Sequence, residues 1–265
     1  MNVGIIGAGV IGSAIAKALI ASSFVEVVIV SDKLAARLSD LEKIGAKVSM
    51  DNKLVAKRSD AIIISVKPNN VGEVLEEVRN EAGEKLIISV AAGVRLKFLK
   101  KIVPEGRFIR AMPNIGVTMR QSFTAYCVDE DVGPREREIA EKILSVFGRV
   151  VQVEERYMDV VTALSGCSPA YLSMIVDAMV DAAEQFGLSR DLALNSLAQT
   201  MIGTGMLILE GGKSPSEIIS MVATPGGVTE EGLNVLKRYP VKEALAKTIE
   251  VGVRKAQALS LSLGE

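Results

Sequence analysis

The sequence predicts an α/β chain built in two parts, a doubly wound sheet over residues 1–153 and an all-helical part over residues 154–265. Three observations carry this. Apolar runs of strand length alternate with amphipathic helical stretches through the first part, the pattern of a mostly parallel sheet covered on both faces. The first strand runs into a glycine-rich turn that opens a helix. Beyond about Glu154 the strand-like runs vanish and helical periodicity takes over.

The elements follow in order. Val3 to Ile6 is an apolar strand, Gly7-Ala8-Gly9-Val10-Ile11-Gly12 is the turn, and Ser13 to Ile20 continue as a helix. In such a Rossmann-type opening Gly7 permits the turn, Gly9 lets a pyrophosphate approach the backbone, and Gly12 lets the helix pack on the strand. The helix N-terminus adds free N–H groups. A Gly-rich structural turn is the alternative, but this motif follows a strand, enters a helix and precedes a second strand, Val25 to Val30, which is the context of a dinucleotide site. After that strand stand Ser31, Asp32 and Lys33, about twenty residues beyond the glycines, where the adenosine ribose is met. An acidic residue there favours NAD, whereas a hydroxyl and a cation favour the extra phosphate of NADP. Ser31 and Lys33 fit NADP and Asp32 argues the other way, unless it caps the amphipathic helix of Leu34, Leu38, Leu41 and Ile44.

A third strand, Ala46 to Met50, leads to Asp51-Asn52 and a short helix, and the buried strand Ala61 to Ser65 ends in Val66-Lys67-Pro68. A helix over Val71 to Arg79 precedes the strand Leu86 to Val90, which runs into Ala91-Ala92-Gly93-Val94. Small residues at a strand's C-terminal end let a flat ring lie against the backbone. Arg110-Ala111-Met112-Pro113-Asn114 follows a further strand. Phe123 to Val128 and Val150 to Val153 complete the sheet around the helix Glu136 to Phe147.

Composition narrows the function. Apolar residues make up 49% of 265, ample for a core, and the formal net charge is −1 with both signs interspersed. No basic patch argues for nucleic acid or an anionic membrane, so a small-molecule ligand remains. The apolar N-terminus lacks a basic leader and is explained by the glycine turn. No segment is expected to be long and apolar enough to span a bilayer. Cys127 and Cys167 are far apart without a CxxC, which fits packing thiols in a reduced, cytoplasmic setting. There is no histidine. Histidine-bearing metal sites and histidine acid–base chemistry are therefore excluded, and no metal is expected.

Helical stretches in the second part cover Met158 to Leu164, Tyr171 to Phe186, Leu192 to Leu209, Ile218 to Val222 and Val241 to Leu263. Ala170 to Val180 is apolar almost all round, so it must be buried on more than one side. A helical bundle of about a hundred residues struggles to do that alone, which points to dimerisation. Two helix entries stand out. In Ser165-Gly166-Cys167-Ser168-Pro169, Ser168 can be the N-cap and Pro169 the first helical residue. In Thr224-Pro225-Gly226-Gly227-Val228-Thr229, two glycines expose backbone N–H groups before a helix, a cradle for a carboxylate. An ordinary capped helix start is the competing reading of each.

With these motifs in place the chain resembles the pyrroline-5-carboxylate reductase family from Gly4 to about Leu259. The most specific pieces are Asp159 to Tyr171 (DVVTALSGCSPAY) and Thr224 to Thr229 (TPGGVT), supported by V-K-P from Val66, A-A-G-V from Ala91 and R-x-M-P-N ending at Asn114. The resemblance implies reduction of 1-pyrroline-5-carboxylate to L-proline with NADPH, NADH being the alternative donor. It places the cofactor on the glycine turn (Gly7, Ala8, Gly9, Val10, Ile11, Gly12), Ser31, Asn52, Val66, Lys67 and Ala92, to which the reading above adds Lys33 and Pro68. It places substrate on Glu155, Val228 and Thr229, with Gly226 and Gly227 completing the carboxylate cradle. It also implies a homodimer through the C-terminal helices, often assembled into a ring of dimers, five in number. Cys167 and Ser168 replace a Ser and a Gly usual in the family, and Met221 replaces a polar Asn or Gln.

The implied chemistry suits a chain without histidine. Reducing C=N needs a hydride on carbon and a proton on nitrogen, and the imine is basic enough to arrive protonated. Orientation and a hydrogen bond to the ring nitrogen then suffice, and Thr229 is the candidate catalytic donor. A related imine or hydroxy-acid reductase of the same build competes, although a hydroxy-acid enzyme needs an acid and no lysine lies between Lys142 and Lys213. A non-catalytic dinucleotide sensor is the other alternative.

Overall fold

The apolar runs of the first part pair edge to edge in the computed structural model, which describes residues 1–262. The chain begins β1 (Asn2–Ile6), α1 (Val10–Ile20), β2 (Val27–Ser31), α2 (Ala35–Lys43), β3 (Lys47–Ser49), α3 (Asn52–Arg58), β4 (Ala61–Ile64) and α4 (Val71–Ala82). It continues β5 (Leu86–Ser89), α5 (Leu96–Ile102), β6 (Arg107–Met112), β7 (Ser122–Val128), α6 (Pro134–Ser145), β8 (Gly148–Gln152) and α7 (Met158–Val161). Among the described residues the sheet has eight strands in the order β3-β2-β1-β4-β5-β6-β7-β8. Neighbours are parallel except β6 and β7, which run antiparallel with Ala111 opposite Tyr126.

Every residue of β4 is fully buried, as a strand covered on both faces requires. Alternation sorts the strand residues between two cores. Ile5, Ile63 and Ile88 pack with α1 and α6, while Ile6, Ile62, Ile64 and Ile87 pack with α3, α4 and α5. The chain turns outward in both directions from β1, which pairs with β2 on one side and β4 on the other. A cleft opens at such a reversal, beyond the C-terminal strand ends.

Two local differences from the sequence reading have plain causes. Helix α5 was not anticipated, because Leu96, Leu99 and Ile102 are the buried members of a short, lysine-rich stretch. Arg110 to Met112 lie inside β6 rather than after it, since the guanidinium of Arg110 finds its charges inside the fold.

The compact units divide as residues 1–167 together with the stretch from Glu250, and Ser168–Ile249. That boundary comes later than the change of composition at Glu154, because Met158 is fully buried in the core of the first unit. Arg110, nearly inaccessible, adds its ion pairs there, 3.2 Å to Glu155 and 3.1 Å to Asp159. The expected fresh helix start at Ser168 is also corrected. Thr162–Gly166 form a π turn, Cys167 keeps helical angles, and α8 (Ser168–Glu184) continues the same run.

The second unit contains α8, α9 (Arg190–Leu209), α10 (Pro215–Val222), α11 (Val228–Arg238) and the start of α12 (Val241–Ser262). The expected end of α12 at Leu263 lies outside the described residues. Helices α8 and α9 form a hairpin whose turn uses Gly187 at φ +87°. Arg190 clamps it, donating to Asp181 at 2.6 Å, to Glu184 at 2.9 Å and to Asp177. These carboxylates hold the guanidinium's pKa above its ordinary value. Among the described residues Val180 is the buried residue of α8 and Ala193 that of α9. Met174 is 77% exposed and Ile202 60% exposed. The helical stretch Glu155–Glu184 and α9 are long and apolar enough to cross a membrane by length and composition, which corrects the expectation that no segment is. Their apolar residues lie all round the helix, so the first unit and the hairpin cover only part of them.

Replacing Arg110 by Met is expected to leave the Asp159 carboxylate buried and unpaired, lowering stability by about 3–5 kcal/mol. Urea unfolding checks this, and a loss below about 1 kcal/mol, the worth of a surface pair, would refute the buried-pair account.

Candidate active site

The first unit contains a cleft of about 830 Å³, within the range of cofactor-sized sites. Its floor begins at the glycine turn. Gly7 sits at φ +105°, which a side chain resists, and a Cβ there would stand 2.5 Å from Ser65 O. Its N–H donates to Ser31 O at 2.8 Å. At Gly12 a Cβ would stand 1.9 Å from Gly7 O, so the helix packs directly on the turn. Gly9 differs: it is the N-cap of α1 with ordinary angles, φ −70° and ψ −171°, and nothing lies within 4 Å of an added Cβ. The turn therefore leaves open space beside the first free N–H groups of a helix, which is the shape that a dinucleotide pyrophosphate fits.

Of the residues expected at the cofactor, Gly7, Gly9, Val10, Ile11, Ser31, Lys33, Asn52, Val66, Lys67, Pro68 and Ala92 line this one cleft. Ala8 and Gly12 stand behind it. Ala8 contributes its N–H, which donates to Asp32 Oδ2 at 2.8 Å, and Gly12 contributes the close packing. Asp32 is thus turned inward: its Oδ1 also accepts from Leu34 N at 2.9 Å. The α2 N-cap itself is Leu34, so Asp32 secures the glycine turn as well as the approach to the helix. Ser31 is buried and its hydroxyl donates to Asn52 Oδ1 at 2.7 Å, while Asn52 Nδ2 donates to Glu77 Oε2 at 2.8 Å. These bonds tie β2, α3 and α4 together beneath the adenosine end. Lys33 pairs with Glu73 at 2.8 Å, and this carboxylate holds the ammonium's pKa above the usual lysine value.

The cleft also takes in residues that the sequence reading did not place there. Arg37 reaches it from the first turn of α2, where its position on a charged helix face resembled an ordinary solvated residue. Asn70, Met112, Asn114 and Gly166 line it as well. Asn114 Oδ1 accepts from Gly116 N at 2.9 Å, and its Nδ2 donates to Ser165 Oγ at 3.2 Å. The signal for these last three was their presence in the R-x-M-P-N and S-G-C-S-P pieces. The cavity wall at Gly166 is close, since a Cβ there would stand 2.8 Å from Met112 Cε.

Glu155 stands apart from that cleft. Its Oε1 accepts from Leu96 N at 2.8 Å, at the start of α5, and from Arg110 Nη1 at 3.2 Å. It borders a separate depression with Cys127, Gln152 and Tyr157. Burial, with the Glu155 charge adding to it, pushes the Cys127 thiol up to about 12, so it is a packing group and not a nucleophile. Cys167 is half-buried.

The second unit holds the other glycine turn. Gly226 has φ +70° with nothing within 4 Å of an added Cβ, and Gly227 N donates to Thr224 O at 2.9 Å. Gly227 is the N-cap of α11, so Thr229 is the second helical residue and not the cap. A carboxylate already sits on this turn: Glu230 Oε2 accepts from Gly226 N at 2.7 Å. Val228 is 93% exposed, and Met221 is exposed near the end of α10.

A family model described as pyrroline-5-carboxylate reductase dimerisation matches residues 155–259. One described as NADP oxidoreductase, coenzyme F420-dependent, matches residues 2–93. The pyrroline-5-carboxylate reductase of Methanosarcina acetivorans is 37% identical over 253 residues, covering 94% of each chain. The structure of a pyrroline-5-carboxylate reductase from Coxiella burnetii is similar with a TM-score of 0.91 at 32% identity, covering 98% of each chain. Plasmodium falciparum pyrroline carboxylate reductase with NADP bound is similar with a TM-score of 0.88 at 25% identity, again covering 98% of each chain.

The two glycines of the turn are expected to fail differently. Gly9→Ala meets no protein atom, so melting should be unchanged while dinucleotide affinity falls by about tenfold or more, or about 1.4 kcal/mol. Gly12→Ala should lower the melting temperature itself. Calorimetry paired with cofactor titration checks both, and unchanged affinity in folded Gly9→Ala would remove the pyrophosphate from this turn.

Proposed function

The chain belongs to the pyrroline-5-carboxylate reductase family, and from that premise we propose that it reduces 1-pyrroline-5-carboxylate to L-proline, the last step of proline biosynthesis, with NADPH as preferred donor over NADH. The observation that carries the reading is the composition of one cleft. It joins the glycine turn at one end to Met112, Asn114 and Gly166 at the other, residues from two further pieces of the family pattern.

When bound, NADPH supplies the hydride that the imine carbon receives. The chain's own part is to hold and orient. The N-terminus of α1 faces the pyrophosphate, with Gly9 leaving room for it, and Ala92 offers a small-residue wall for a flat ring. Protonation asks for no strong acid, because the imine nitrogen is basic enough to arrive protonated. That suits a chain without histidine.

For the substrate, the turn Gly226-Gly227-Val228-Thr229 holds the carboxylate at the positive end of α11. The Glu230 carboxylate on Gly226 N supports this, since it occupies the kind of bond that a substrate carboxylate would take. Thr229 donates its hydroxyl to the imine nitrogen; among the described residues that hydroxyl has no internal partner. Glu155 acts from behind, positioning α5 and Arg110. The helices α8 and α9 form a homodimer contact, and assembly into a ring of dimers in the cytoplasm completes the proposal.

Turnover is tested by NADPH absorbance with 1-pyrroline-5-carboxylate. Consumption of NADPH is expected, and its absence with any cyclic imino acid would return the chain to a dinucleotide sensor. Thr229→Val keeps shape and β-branching but removes the donor, so kcat should fall by about 10²-fold or more while melting is unchanged. A kcat within about threefold of wild type would remove Thr229 from catalysis, since the loss of a transition-state hydrogen bond is much larger. Sedimentation velocity at micromolar concentration should show a dimer or larger species, and a folded monomer would end the oligomer assignment.

A further inference from the structure

The adenosine end of the cleft holds two cations, each met by a carboxylate. Lys33 Nζ stands 2.8 Å from Glu73 Oε1, and Arg37 Nη1 stands 3.4 Å from Asp32 Oδ2. The two pairs differ in what the carboxylates otherwise do. Asp32 Oδ2 takes its short bond from Ala8 N and its Oδ1 takes Leu34 N, at 2.8 and 2.9 Å. Arg37 is left with a long, weak contact on a half-exposed side chain. Glu73 is itself exposed and, among the described residues, holds Lys33 and no backbone group.

Resting on the reading of this cleft as the NADPH site, we propose that Arg37 is a specificity-determining residue: together with Lys33 it grips the 2'-phosphate of the adenosine ribose, in competition with Glu73 for Lys33. The charges decide the direction. A phosphate monoester carries about two negative charges near neutral pH and three acceptor oxygens, and it offers Arg37 a planar, two-bond partner that a 3.4 Å contact does not. Bare ribose hydroxyls offer neither cation a charge, so the two ion pairs persist with NADH. NADH is also denied its usual acidic partner. Asp32 has the residue type that binds a ribose 2'-hydroxyl, but both its oxygens are engaged by backbone N–H groups. Ser31, the other candidate beside Lys33, is buried with its hydroxyl donated to Asn52.

The test is equilibrium titration of NADPH and NADH by nucleotide fluorescence on wild type, Arg37→Gln and Glu73→Gln, with melting curves as a control on folding. Arg37→Gln should weaken NADPH by about tenfold or more, the loss of one charge-assisted bond, and NADH by less than about threefold. Glu73→Gln should tighten NADPH and leave NADH unchanged. On wild type, 2',5'-ADP should displace NADPH at concentrations at least about tenfold lower than 5'-AMP does, a readout independent of any variant. Equal weakening of both nucleotides by Arg37→Gln would mean that Arg37 only supports Asp32 and the glycine turn, and would overturn the proposal. So would NADPH affinity unchanged in either variant, or equal displacement by the two adenosine phosphates. Wild type that binds neither nucleotide would remove the NADPH reading itself, and with it this inference; that result is visible before any variant is made.

Discussion

A side chain at Gly12 would meet the Gly7 carbonyl at 1.9 Å, and most of the cleft follows from that close approach. The turn can be so tight because Gly7 takes φ +105° and because two bonds tie it to the end of β2, Gly7 N to Ser31 O and Ala8 N to Asp32 Oδ2. With the turn held down, α1 starts at a fixed point above β1 and its unpaired N–H groups face the open side at Gly9. The same bonds turn Asp32 inward. The end of β2 therefore presents Lys33 and Arg37 to the cleft with their charges only partly met.

Charge elsewhere is handled by pairing rather than by proton exchange. Arg110 is buried between Glu155 and Asp159, Arg190 is ringed by three carboxylates, and Lys100 lies among Asp129, Asp131 and the Gly106 carbonyl. None of these groups lines the cleft. The groups that do are backbone N–H donors, amides, hydroxyls and two or three cations, which can orient an anionic cofactor but supply no titrating acid near neutral pH. A reaction whose substrate brings its own proton is the kind that such a site serves.

The second unit carries a different constraint. Its two longest apolar helices satisfy the length and composition of membrane spans, yet they join at a charged hairpin turn and belong to the stretch matched by a dimerisation model. Apolar residues on every side of a helix need cover on every side, and a hairpin covers one. Association with another copy of the chain accounts for the remaining faces without requiring lipid.

Much of this was legible in one dimension. The glycine spacing, the all-apolar run of β4, the loss of strand pattern after Glu154 and the paired glycines at Gly226 each depend on neighbours in the chain, so they determined the fold class and the residues around which the sites are built. The direction of β7, the helix α5, the π turn that carries the chain through Cys167 and the return of the last helix to the first unit left no comparable pattern. They depend on what packs against them. The adenosine end shows the division most sharply. Ser31, Asp32 and Lys33 were recognisable as the residues beside the ribose, but their chemistry there was ambiguous. Which of two adjacent charges faces a ligand is decided by the N–H of Ala8, 24 residues away, and only the folded chain brings that donor to the Asp32 carboxylate.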